Sequence, residues 1–103
     1  MSLKLRKINI SLLFFLHVLK YLPLANYLKN LDQTSITMSF SQIEDIINSS
    51  LPASAFKYKE WWANDTISHV QSRLGWLTVE WKTMEVDLDN KCVIFMRAQK
   101  SRV

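Results

Sequence analysis

Trp81-Lys82-Thr83-Met84-Glu85-Val86-Asp87-Leu88-Asp89-Asn90-Lys91-Cys92-Val93-Ile94-Phe95-Met96-Arg97 is the stretch on which the fold turns. Residues 81–88 and 92–97 are rich in strand formers and flank the turn-forming Asp89-Asn90-Lys91, so they predict an antiparallel hairpin. The two arms differ in pattern. Met84, Val86 and Leu88 alternate with Thr83, Glu85 and Asp87, as a strand with one wet face requires. Residues 92–96 are apolar on both faces, which predicts a central strand. Its second neighbour has to come from earlier in the chain, and residues 34–38, which alternate β-branched and polar side chains, supply it.

Helical patterns fill the rest. Pro23 suits a first turn, and Leu24, Tyr27, Leu28 and Leu31 then recur on one face. Ser39 followed by Gln42 reads as a capping box that opens a helix with the stripe Phe40, Ile43, Ile46 and Ile47. Pro52 opens a third helix, in which Ala55, Tyr58 and Trp62 share the core face while Ser54, Lys57 and Trp61 share the opposite one. Asn64 or Asp65 caps a fourth, from 66 to 78, with Ile67, Val70, Leu74 and Leu77 buried and the spacing running through Gly75. His69, Arg73 and Trp76 then gather on its outer side. The order α-β-α-α-α-β-β, with a three-stranded antiparallel sheet and the last strand in the middle, predicts an α+β, winged helix-turn-helix-like architecture. The hairpin would be the wing, and the helix from 66 to 78 would occupy the position that enters the major groove.

The 103 residues, 49% of them hydrophobic, suffice for one domain, expected over 20–98. Residues 1–19 form an apolar amino-terminal extension: Lys4, Arg6 and Lys7 precede a run broken by Asn9, Ser11 and His17. That outline is also a signal peptide's, but the run is short for a membrane span and Pro23 sits where a cleavage site needs a small residue. An accessory packing helix, or an extension upstream of the true start, is the expected reading. Residues 99–103 form a basic tail. A single cysteine, Cys92, allows no internal disulfide and reads as core, and with His17 and His69 it makes no zinc set, so no cofactor or metal and a reducing, cytoplasmic location are expected.

The formal net charge of +4 and a pI near 9.4 suggest nucleic acid, yet the excess sits in the first third of the chain. Residues 33–103 carry eight bases and eight acids, so any attraction comes from local patches such as Lys57 with Lys59.

The run Leu51-Pro52-Ala53-Ser54-Ala55 with Trp61-Trp62-Ala63-Asn64-Asp65 concentrates rings, amines and an amide. Adjacent residues on a helix diverge by about 100°, so Trp61 and Trp62 cannot share one core face. Trp62 is expected inside and Trp61 presented. Ser54, Lys57, Trp61, Asn64, His69 and Arg73 are therefore the candidate nucleic-acid-binding residues: an indole to stack, an amide for adenine, a guanidinium for guanine or phosphate. Each also has a structural reading: Asn64 as a cap, Trp61 packed under the amino-terminal segment, His69 and Arg73 as a solvated helix face, and Lys57 and Lys59 as solvated charges.

The segments Tyr21-Leu22-Pro23-Leu24, Met38-Ser39-Phe40-Ser41-Gln42-Ile43-Glu44-Asp45-Ile46-Ile47, the Leu51–Ala55 and Trp61–Asp65 pieces, and Val86-Asp87-Leu88 to Phe95 together resemble a small, largely uncharacterised domain of short bacterial and phage proteins. The resemblance spans 20–97 and implies no activity or residue roles. Similar sequences usually place glycine before the tryptophan that opens the hairpin, where this chain has Glu80.

No glycine-rich phosphate loop or nucleophile motif is present. Asp65 with Glu80 and Lys82 imitates the acid, acid-x-lysine pattern of metal-dependent nucleases, a remote alternative. Glu85, Asp87 and Asp89 read as a solvated edge that would repel phosphate. The expected function is a non-enzymatic DNA-binding module. The alternative is a protein-interaction module, or a homodimer, that uses exposed Trp61 and Trp76.

Overall fold

The computed structural model describes residues 19–98, so expectations for 1–18 and for the tail 99–103 lie outside the described residues. Helices α1 (Leu22–Lys29), α2 (Phe40–Ile47), α3 (Ala53–Lys57) and α4 (Val70–Gly75) combine with strands β1 (Ser35–Ser39), β2 (Trp81–Asp87) and β3 (Cys92–Arg97). Two single 3-10 turns, Lys59–Trp62 and Leu77–Val79, follow α3 and α4. The sheet is antiparallel in the order β1-β3-β2, so the apolar last strand is central, as its two-sided pattern requires.

Local chemistry sets the element ends. Ser39 Oγ accepts the Gln42 N–H at 3.0 Å and Gln42 Oε1 accepts the Ser39 N–H at 2.8 Å, the reciprocal box that opens α2. Glu44 then accepts the Leu51 N–H at 2.8 Å and holds the α2–α3 connection. The core is a train of rings: Phe40 stacks on Trp62 at 4.8 Å, Trp62 on Trp76 at 6.1 Å, and Trp76 meets Phe95 at 5.4 Å. Leu24, Leu28, Met38, Ile43 and Val93 close around it. Such rings each remove large apolar areas from water and dominate the stability of a small domain.

Four expectations are corrected. The third helix stops at Lys57, because Tyr58 turns extended (φ −128°, ψ 123°) and swings its ring out to 57% exposure rather than into the core. The fourth helix starts at Val70, not 66. Asp65 Oδ1 accepts the Ile67 and Ser68 N–H groups at 2.7 and 3.0 Å, an Asx turn that competes with helix and leaves Ile67 87% exposed. That helix ends at Gly75, which is buried against Tyr21, the residue preceding α1; a Cβ there would meet Tyr21 Cβ at 3.4 Å, an ordinary van der Waals contact. Trp76 consequently leaves helical geometry and is fully buried instead of facing outward.

The fourth correction lies in β2. The register passes from Thr83↔Phe95 to Glu85↔Ile94, leaving Met84 as an extra, bulged residue that is 51% exposed. Trp81 and Thr83 therefore point inward before the bulge and Val86 after it; strict alternation had placed Met84 inside.

Candidate functional site

The segment between α3 and α4 is stitched down by its own polar side chains. Asn64 Oδ1 accepts the Trp76 indole N–H at 3.0 Å and the Thr83 backbone N–H at 2.9 Å, while Asn64 Nδ2 donates to the Thr83 carbonyl at 2.9 Å. Thr83 Oγ1 donates to the Trp62 carbonyl at 2.7 Å, with Asn64 Oδ1 a further acceptor at 3.0 Å. Ser72, fully buried on α4, accepts the Asp65 N–H and bonds the Asp65 and His69 carbonyls. Gln71 donates to the Trp61 carbonyl at 2.8 Å, fixing the 3-10 turn against α4.

Against this frame the candidate residues separate. Ser54 and Lys57 are exposed on α3, and Arg73 is exposed on α4 one turn from His69. His69 is half-buried at the start of α4, and its Nδ1 is enclosed with no partner among the described residues. Trp61 is half-buried, its ring edge-on to Trp62 at 4.7 Å and to Tyr21 at 6.0 Å. Burial pushes the Tyr21 hydroxyl up to about 12.

Asn64 departs most from expectation. It caps no helix, and its carbonyl oxygen is taken by the fold, so the bidentate grip on adenine, which needs oxygen and nitrogen together, is unavailable. Asp65 is turned onto its own loop: the Ser68 and Ile67 N–H groups hold its carboxyl below the usual carboxylate range. Among the described residues no three His, Cys, Asp or Glu side chains converge as a metal site. Gln71, Ser72 and Thr83, which hold the segment, carry no signal in the sequence beyond being polar.

A cleft of about 370 Å³ opens between the Lys59–Asn64 segment and β2, lined by Lys59, Asn64, Met84, Glu85 and Val86. A second hollow of about 320 Å³, sharing Lys59, Glu85 and Val86, continues toward Asp87 and Asp89.

The model of a family described as a domain of unknown function (DUF7662) matches residues 21–98. The chain belongs to this family. No curated protein and no solved structure matches it. The DUF7662 span begins at Tyr21, a core residue, and ends at Ala98, whose N–H reaches the Glu80 carbonyl at 2.6 Å. The matched span takes in all the helices and strands described, consistent with the uncharacterised domain that the sequence resembles over 20–97. No helix among the described residues is long and apolar enough to cross a membrane.

Proposed function

We propose that this domain is a winged helix-like, non-enzymatic module that binds nucleic acid through its α3–α4 side. It would serve as a small regulator or as the recognition part of a bacterial or phage defence or mobile-element system. The observation that carries the reading is topological: helices α1 to α4 interleave with β1, and the β2–β3 hairpin follows with β3 between its neighbours. In winged-helix modules the helix before such a hairpin faces the duplex. Here that helix is α4, which presents Arg73, with His69 at its start and Lys57 and Ser54 on neighbouring α3. Carboxylates at Glu85, Asp87 and Asp89 disfavour phosphate at the hairpin, so the helices rather than the wing make the contact. Burial of Trp76 weighs against the protein-interaction alternative, which needed that ring exposed.

Titration of duplex DNA across a salt series tests this reading. Arg73→Ala and Lys57→Ala are each expected to weaken binding several-fold and to lower the slope of log affinity against log salt by about 1. Absence of binding at low ionic strength, or affinities untouched by both substitutions, overturns it.

A further inference from the structure

The two edges of this sheet are unequal, and the hydrogen bonds of β3 give the direction of the peptide groups along β2 on either side of its bulge. In the central strand, the Arg97 N–H donates to the Thr34 carbonyl and the Lys91 carbonyl accepts the Phe40 N–H, both at 2.8 Å. Both therefore point toward β1. Antiparallel strands alternate the side on which each residue bonds, so Val93 and Phe95 also face β1, and Cys92, Ile94 and Met96 face β2. Their partners Asp87, Glu85 and Lys82 bond inward, and Thr83 and Val86 turn both peptide groups to the open side.

Asn64 takes the Thr83 pair. Its side-chain amide gives one N–H and accepts one N–H, which is what the peptide unit of an adjoining strand would do. The next outward position, Val86, has no such partner among the described residues, and it lines both hollows of the cleft. Val86 is 8% exposed as a whole residue, and by the register of β2 it is its N–H and C=O that turn to the groove side. Around it stand Glu85, Asp87 and Asp89 against one base, Lys59, and the bulge sets Met84 at the rim. The Asn90 side chain and N–H hold the Asp87 carboxyl below the usual range, so it is charged at neutral pH.

We propose that this cleft is a strand-addition site, in which an extended, lysine- or arginine-rich segment of a partner protein pairs with Val86, beginning where the Asn64 amide ends. Strand addition takes its affinity from main-chain hydrogen bonds and its selectivity from alternate side chains. One set of alternate positions meets the cleft wall beside Val86, and the other sets cations beside Glu85 and Asp87. The acidic rim selects against nucleic acid, so the site is independent of the α3–α4 surface.

The experiment uses the full chain and three synthetic peptides: alternating lysine and valine, the same peptide N-methylated on the valines, and its glutamate counterpart. Calorimetry gives affinity, and amide hydrogen exchange reports on Val86. The lysine peptide is expected to bind and to slow Val86 exchange at least tenfold, with the other two at least tenfold weaker. Glu85→Lys should cost the lysine peptide a similar factor. Equal binding of the N-methylated peptide would reduce the effect to charge and overturn the proposal. So would an unprotected Val86, no binding, or displacement of the peptide by duplex DNA. The comparison between peptides needs no variant, so misfolding of Glu85→Lys would not leave the question open.

Discussion

Glu80 illustrates how one side chain records a backbone constraint. It occupies the left-handed region (φ 66°, ψ 35°) at the joint before β2, where its N–H reaches the Leu77 carbonyl at 3.1 Å. A residue with a Cβ is disfavoured there by about 1 kcal/mol or more, and glycine is not. Glu80→Gly is expected to raise stability by about 0.5–1 kcal/mol in chemical denaturation. An unchanged midpoint would show that the joint carries no strain. Asp65 and Asp87 tie the stability of the fold to acid pH. Their folded pKa values lie below the ordinary 3.8, so both contribute stability that is complete above that value and lost as pH falls through the folded values. Acid unfolding should therefore begin below about pH 4, and Asp65→Asn should flatten that limb. An unchanged acid limb in this variant would refute the role given to the Asx turn.

At the scale of elements, the strands were more legible than the helices. The two-sided apolar run of β3 sufficed to place it centrally, because only a strand with neighbours on both sides tolerates such a pattern. Helices α3 and α4 came out shorter than their periodicity implied, since their ends are set by local backbone geometry that periodicity does not weigh: the extended Tyr58 that stops α3 and the Asx turn of Asp65 that delays α4. The candidate residues Ser54, Lys57 and Arg73 were legible as exposed positions. The second role of Asn64 was not, because its partner Thr83 lies 19 residues away. The bulge was invisible too, since one extra residue leaves composition unchanged and only shifts the phase. Deletion of Met84 tests it: Trp81, Thr83 and Val86 then fall on one face of a regular strand, and the fold should survive. Deletion of Lys82 also keeps Trp81 in phase with Val86 but turns Thr83 to the wet face and Met84 inward, breaking the Thr83 bonds to Asn64 and Trp62, and should cost far more stability than deletion of Met84. Equal damage from the two deletions, followed by circular dichroism, would refute the bulge.

For the whole molecule, stability rests on the aromatic train rather than on charge. Residues 19–98 carry eight basic and nine acidic side chains, so no large field opposes compaction. Trp62 lies between Phe40 and Trp76 and donates its indole N–H to the Ala55 carbonyl at 2.9 Å, joining α2, α3 and the residue that follows α4. Trp62→Ala should cost about 3–5 kcal/mol, a large share of the total for a domain of this size. Thermal melting would then show little folded protein, whereas Trp61→Ala, at the half-buried neighbour, should retain a sharp transition. Comparable losses would mean that the two adjacent rings are not divided between interior and rim.

The grip on Asn64 also bears on chemical ageing. Asparagine deamidates when the next backbone nitrogen attacks the side-chain carbonyl, and here that nitrogen, of Asp65, is turned to the Ala63 carbonyl and the Ser72 hydroxyl at 3.0 and 3.2 Å. The native fold should therefore keep this amide intact far longer than the denatured chain does, a difference that mass spectrometry of stored samples would reveal. A molecule that lost the amide would gain a carboxylate beside Thr83 and surrender the single donor that finishes its sheet.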